Sequence, residues 1–480
     1  MDAAAARGYG GAFRMQGTGK MQESQAVLIE PAREVPVHGP LFDVVVLGGG
    51  PAGMAAARAA AQEGAQVLLV ERYGFLGGMG TAAGVTNFCG LHANVHGEHR
   101  RVVRGVADDL LRRMAALDGL NTPHVVLGRI QAQAYDTAAF KCAADGLLAD
   151  AGVRTLFHAL LAGVHRAADG RVDAVLLETK SGRIAVRGRM FIDCTGDGDL
   201  AHQAGLATEK GDEHGHLLYP TLMFRIGEVD AARAGEAWRT IPQRMDEAEA
   251  SGEFSFPRRG AIVRPQKHAY EWRVNVTQLR NPDGTATDGT NAWSLSAAET
   301  EGRRQIVEYL RFLRAKVPGF EQAYVLDIAP QLGVRETRRL HAEYMLSRED
   351  IVECRDFPDS IGVNGWPLER HVAGDVQWIW PPAGSRGFNQ LPYRMLLPRR
   401  AGAGGVDNVL VAGRCAGMTH EGQSAARVTG ACFVMGQAAG TAAALALHDR
   451  VSPHELHVPR LQQALVAQGA FLGTGSLPPA

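Results

Sequence analysis

Two segments far apart in the chain constrain its fold most. Residues 42–71 read FDVVVLGGGPAGMAAARAAAQEGAQVLLVE: an apolar run, a Gly-rich turn, an Ala-rich helix and a second apolar run closing on an acid. Gly48, Gly50 and Gly53 satisfy G-x-G-x-x-G, and Glu71 follows at the spacing of an acid that bonds an adenosine ribose. Gly48 permits the tight turn, Gly50 lets the backbone approach a pyrophosphate, and Gly53 lets helix and strand pack closely. Pro51 and Ala52 stand at the helix start, where free N–H groups and the helix dipole favour phosphate. A simple packing turn is the alternative. The agreement of strand, turn, helix, strand and acid weighs against it.

The fingerprint does not say which dinucleotide is bound, but the flanking residues do. Glu71 runs into Arg72-Tyr-Gly-Phe-Leu-Gly-Gly78-Met79-Gly-Thr81, where a nicotinamide-binding domain would continue into another helix and strand. A glycine-rich loop there suits a larger cofactor whose isoalloxazine end crosses it, which points to FAD. The distal segment, DNVLVAGRCAGMTHEGQSAARVTGACFVMGQAAGTAAALAL, supports FAD independently. Val409–Ala412 reads as a short strand, Gly413-Arg414 as a turn, and Gly422–Leu447 as one long helix of small residues. Gly422, Ser424 and Ala425 begin that helix, whose positive end can face the flavin pyrimidine, where charge develops on reduction.

These segments give the chain a family resemblance. It resembles the FAD-dependent oxidoreductases with a glutathione-reductase-type FAD fold, in a broad bacterial group marked by GGGPAG, ERYGFLGG, TGDGD, GVRETRR and AGR…HE. The motifs stand at Gly48–Gly53, Glu71–Gly78, Thr195–Asp199, Gly333–Arg339 and Ala412–Glu421. The resemblance implies non-covalent FAD and an α/β fold: a discontinuous Rossmann-like FAD-binding domain with a β-meander, plus an inserted α+β substrate cap domain. It leaves the substrate open.

Composition narrows the function classes. At 480 residues and 46% apolar content, the chain can build two or three domains around sizeable cores. Lys and Arg total 50 against 51 for Asp and Glu, with no basic block, so a nucleic-acid role has no electrostatic footprint. The start has no apolar h-region; it reads as a flexible leader, with Met21 as another candidate start. Ala425–Leu447 is apolar enough to raise a membrane span, but Arg427, Gln437 and its Gly/Ala richness favour a packed helix. A cytoplasmic protein with no integral membrane contact is expected. A homo-oligomer stays open. Cysteines 89, 142, 194, 354, 415 and 432 make no C-x-x-C pair, which argues against a disulfide reductase, an iron–sulfur centre or a zinc knuckle.

Along the chain, 1–24 reads as the leader and Ser24–Pro40 as an extended arm. The first part of the FAD domain covers 25–210, the cap 211–395, the second FAD part 396–450, and a tail 451–480. Helix is expected over Asp136–Ala151 with Asp136 as N-cap. Strands are expected at Val153–Phe157, Leu160–Arg166, Val172–Glu178, Arg183–Val186 and Met190–Cys194, the last leading into Thr195–Asp199. In the cap, Glu271–Thr277 reads as a strand and Ser296–Lys316 as a helix. No second G-x-G-x-x-G follows a strand, so electrons must pass between the flavin and an unidentified donor or acceptor entering an open site.

His420 is the first candidate for proton transfer, because His420-Glu421 precedes the long helix; bonding to the flavin or helix capping is the alternative. Arg335 can anchor an acidic substrate bidentately or form a structural ion network with Glu336. Arg338 and Arg339 suit that network. Tyr393 can offer a phenol or sit in the core. Gly196, Asp197 and Asp199 read as residues of the cofactor shell. His92, His96, His214 and His216 read as loop residues and no metal is expected; covalent flavin on Cys89 or His92 has no attachment motif. The leading function is hydride exchange between FAD and a small organic substrate. A flavin monooxygenase using external NAD(P)H and oxygen, or a non-catalytic FAD-binding or electron-transfer subunit, are the alternatives.

Overall fold

The computed structural model describes residues 34–400 and 405–478. The leader at 1–24 and most of the arm lie outside the described residues. β1 (Phe42–Leu47), α1 (Pro51–Gln62) and β2 (Val67–Val70) form the expected unit, with β1 and β2 parallel. Their apolar side chains are buried on both faces, as in a central parallel strand. α2 (Thr137–Ala149) begins where the Asp136 carboxylate accepts from the Ala139 N–H at 2.8 Å. β3 (Arg154–Leu156), β4 (Leu160–Arg166), β5 (Val172–Thr179) and β6 (Gly182–Asp193) follow.

The resulting sheet runs β3-β2-β1-β6-β5-β4, with Val409–Val411 added beside β6. One difference from the sequence reading lies in β6. The two strands expected at Arg183–Val186 and Met190–Cys194 are a single strand of 12 residues. Its first half pairs antiparallel with β5, and its second half pairs parallel with β1 and Val409–Val411. One strand thus joins the meander to the dinucleotide-type sheet and delivers Thr195–Asp199 to the strand ends.

A second core lies in the middle of the chain. β7 (Phe224–Gly227), β8 (Ile262–Pro265), β9 (Trp272–Asn275) and β10 (Tyr324–Ile328) make an antiparallel sheet ordered β8-β9-β7-β10. α3 (Ala292–Lys316) contributes Tyr309 and Phe312 to the core beneath it, with Phe224, Trp272 and Phe320. That core ends near Leu332; Leu346, Ile361, Leu368 and Leu391 instead join the core of the parallel sheet. Between them β11 (Leu368–Val372) and β12 (Asp375–Ile379) form a hairpin.

The helix expected over Gly422–Leu447 is two helices, α4 (His420–Ala426) and α5 (Thr429–Asp449). Val428 is extended, at φ −74° and ψ 165°, and breaks the run. α5 is long and apolar enough to cross a bilayer, but it is buried. A Cβ at Gly436 or Gly440 would stand 2.0 Å from the carbonyl of Ala52 or Ala56, so α5 packs directly on α1. The tail also contains structure: Val458–Ala467 is a helix whose Leu461 and Leu465 join the same core.

Candidate functional site

A cavity of about 450 Å³ opens between the ends of the parallel sheet, the β7–β10 sheet and the β11–β12 hairpin. The turn after β1 forms one wall. Gly48 has φ +98°, and a Cβ there would lie 2.4 Å from the Cys194 carbonyl, so only glycine makes this turn. A Cβ at Gly53 would stand 1.8 Å from the Gly48 carbonyl. Gly53 therefore serves helix–strand packing and does not face the cavity. α1 starts at the cavity with no side-chain cap on Gly50, leaving backbone N–H groups directed at whatever occupies it. Glu71 is buried in the same wall, its carboxylate accepting from the N–H groups of Gly49 at 2.6 Å and Tyr73 at 2.9 Å.

Most residues expected at the cofactor reach this cavity. Gly48, Gly50, Pro51 and Ala52 line it with Glu71 and Arg72. Gly78 and Met79 line it from the glycine-rich loop, and Gly196, Gly413 and Arg414 from the two later turns. Thr81 does not; its hydroxyl donates to the Leu76 carbonyl at 2.7 Å and secures that loop. Asp197 sits behind the wall, where it holds Arg414 at 2.8 Å and Thr337 at 3.0 Å. Arg338 adds a bond to Asp199 at 2.9 Å. TGDGD, GVRETRR and AGR thus meet in one buried polar knot.

The start of α4, expected at the cofactor, does not line the cavity. Gly422 donates its N–H to the Thr419 hydroxyl, Ser424 donates to the Glu421 carbonyl, and Ala425 is core; none lines the cavity. The helix end that reaches the cavity is that of α5, with Val428 and Thr429 in the wall and no side-chain cap. The break at Val428 causes this shift. His420 also lies outside the lining: its Nδ1 is 2.9 Å from the fully buried Glu336 carboxylate. Tyr393 is buried, and its hydroxyl donates to the Pro453 carbonyl at 2.9 Å, so it takes the core alternative. Arg335 does face the cavity, with Nη1 donating to the Tyr219 carbonyl at 2.6 Å.

Opposite the glycine turns stands a pair that sequence reasoning missed. His371 Nε2 is 3.1 Å from Glu369 Oε1, and both line the cavity. Residues two apart on β11 share a face, so Glu-x-His on a strand was the available signal. Burial pushes the Glu369 carboxyl up, but the bond from His371 and the charges of Arg427 and Arg335 outweigh it and hold the carboxyl below its ordinary value. Burial, reinforced by Arg335, pushes the His371 imidazole well below its ordinary value despite the bond to Glu369. The pair is therefore a neutral imidazole on an ionised carboxylate. Cys89 also lines the cavity, but burial pushes its thiol up to about 12, so it is no thiolate nucleophile. No group of three or more His, Cys, Asp or Glu placed to hold a metal occurs among the described residues.

A family model described as FAD dependent oxidoreductase matches residues 43–465. The chain belongs to that family. Among solved structures, it is similar to a geranylgeranyl bacteriochlorophyll reductase-like protein from Thermoplasma acidophilum, at 14% identity and a TM-score of 0.42, covering 90% of this chain and 88% of that one. It is similar to a p-nitrophenol 4-monooxygenase from Pseudomonas putida at 11% identity and a TM-score of 0.44, covering 91% and 90%. A flavin-dependent brominase gives 12% identity and a TM-score of 0.42, covering 89% and 83%. A comparison with curated protein sequences found no match.

The cavity wall suits FAD on its own evidence. A Cβ at Gly50 would meet nothing nearer than the Gly78 Cα at 3.6 Å. The protein itself does not require glycine there, and the absence of a side chain leaves room for a cofactor to lie against the backbone. Two uncapped helix starts, α1 and α5, open on the same cavity. Glu71→Ala is expected to weaken FAD binding by about 1.5–3 kcal/mol, read by equilibrium titration of the apoprotein with FAD. Affinity unchanged in that variant would remove Glu71 from the cofactor. A negative charge at the α5 start disfavours reduced flavin, so Thr429→Asp should lower the flavin midpoint potential with FAD still bound.

Proposed function

We propose that this FAD-dependent oxidoreductase exchanges hydride between its flavin and a small organic substrate that lies against β11 and the β7–β10 sheet. The observation carrying this reading is that the glycine turns, the α5 start and the His371–Glu369 pair all face one cavity. Bound FAD supplies the two-electron chemistry. The chain's own residues position the substrate and manage its proton. With Nε2–H donated to Glu369, His371 Nδ1 keeps its lone pair and can take a proton from a hydroxyl or amine; the Glu369 carboxylate then faces the resulting imidazolium. The residues between about 211 and 332, together with the β11–β12 hairpin, serve as the substrate side of the site. FAD is held non-covalently, and the cell compartment is the cytoplasm.

The deciding experiment is anaerobic turnover of a panel of hydroxy acids, amines and alcohols with an artificial electron acceptor. Substrate oxidation without oxygen is the expected result. Product formation that instead requires NAD(P)H and oxygen, with oxygen incorporated, would replace this reading by a monooxygenase. Stoichiometric FAD that no donor or acceptor turns over would replace it by a non-catalytic flavoprotein.

A further inference from the structure

Six arginines line the same cavity; besides Arg72 and Arg414 on the glycine-turn side, these four are Arg264, Arg273, Arg335 and Arg427. Arg264 on β8 and Arg273 on β9 are direct register partners, so two like charges stand opposite each other on one face, an arrangement that destabilises a sheet. The row continues to Arg225 on β7, and there acids answer it: Glu271 at 3.6 Å and Asp327 at 3.3 Å. The inner members have no such answer. Among the described residues, no carboxylate lies within ion-pair distance of any of the four.

Their remaining contacts are partial. Arg264 stacks over Trp238 at 5.3 Å. Arg273 donates to the Val85 carbonyl, while its buried Nε has no partner. Arg427 reaches the Glu369 carbonyl oxygen at 3.3 Å, and its Nε is likewise unpartnered. Arg273 and Arg335 are only 4% and 6% exposed. Burial and neighbouring positive charge push Arg264 down to about 10, and Arg335 well below its ordinary value. Glu369 stands among them, but His371 and the Trp366 Nε1–H at 3.0 Å already engage it. A buried guanidinium stays charged near neutrality, so this wall lacks anions.

We propose that this wall binds a small organic dicarboxylate, with one carboxylate between Arg264 and Arg273 and the other at Arg335 and Arg427. Planar carboxylates match the guanidinium fork bidentately, which a neutral alcohol or amine does not. Two carboxylates offset most of the positive charge that Glu369 leaves. Met223, Trp366 and Trp378 give the cavity an apolar face for the carbon chain between them. The assignment rests on the oxidoreductase reading above for calling this ligand the substrate, but not for its binding.

The test is titration of the holoprotein at low salt with a dicarboxylate series from oxalate to suberate plus phthalate, read by thermal shift and by flavin absorbance. Matched diamides, butyrate and inorganic phosphate are run beside it. At least one dicarboxylate should bind, its diamide should not, and butyrate should be weaker by about tenfold or more. Arg273→Gln should weaken the dicarboxylate by a similar factor with one flavin still bound per chain. Arg264→Gln, at a half-buried position, repeats the test if Arg273→Gln does not fold. No response to any dicarboxylate by flavin-loaded protein overturns the proposal, as does phosphate binding equally well. Loss of FAD from a folded Arg273→Gln variant overturns it too, because the arginines then serve the cofactor. Thermal shift reads binding without turnover, so dicarboxylate binding by FAD-loaded protein that neither oxidises nor reduces any bound ligand would uphold this site while removing its assignment as the substrate site.

Discussion

Arg339→Ala is expected to lower folding stability by about 3–5 kcal/mol, because it breaks one side of a buried charge pair. Arg339 is 1% exposed and pairs with Glu336, itself fully buried. It also bonds Glu209 at 3.0 Å and the carbonyls of Met418 at 2.9 Å and Gly211 at 2.8 Å. Removing it leaves Glu336, among the described residues, with only the Leu218 N–H at 2.9 Å and His420. The measurement is denaturant unfolding of FAD-loaded protein. Arg338→Ala is the internal control: its partner Asp199 is 33% exposed, so an effect nearer 1 kcal/mol is expected. Equal, small losses in both variants would show that Glu336 does not depend on Arg339. Adding Glu336→Gln to Arg339→Ala should recover part of the loss, since no unpaired charge remains buried.

The same knot shows where sequence reading succeeds and where it stops. β1, α1, β2 and Glu71 were legible because each glycine answers a local steric demand and the apolar runs match strand and helix periods. β4 has the expected boundaries, Leu160–Arg166, because the Asp169-Gly170 turn follows its apolar run closely. The apolar runs Arg183–Val186 and Met190–Cys194 read as two strands because Arg187 and Arg189 interrupt them, whereas the strand continues by exchanging its antiparallel neighbour for parallel ones. The break at Val428 was invisible, since the residues on both sides are small and apolar. The break puts Thr429, not Gly422, at the helix start that reaches the cavity. Arg335 and Glu336 are neighbours in sequence, yet Arg335 faces the cavity while Glu336 engages Arg339 and His420. Which of the two faces the cavity depends on the elements packed against them, and no local pattern records it. The unpaired arginines on β8 and β9 were equally hidden, because their significance lies in register and in missing partners.

The His420–Glu336 and His371–Glu369 pairs should respond differently to substitution. Both join an imidazole to a carboxylate, at 2.9 Å for His420–Glu336 and 3.1 Å for His371–Glu369. Only the second lines the cavity. Loss of a group that moves a proton in the transition state costs about 10²–10⁴-fold in rate. His371→Ala should therefore lower kcat by that range with flavin content and spectrum intact. Glu369→Gln should lower it by less, because the imidazole remains but loses the negative charge that favours its protonated form. Glu369→Gln should also move the pH–rate profile: a less basic His371 titrates at lower pH, so the acid limb shifts downward. A purely structural role for Glu369 would change stability without that shift. His420→Ala should cost stability through Glu336 while leaving turnover per bound flavin near that of the wild type. The reverse pattern, with kcat lost in His420→Ala and kept in His371→Ala, would return proton transfer to His420 and require α4 to move toward the cavity during turnover.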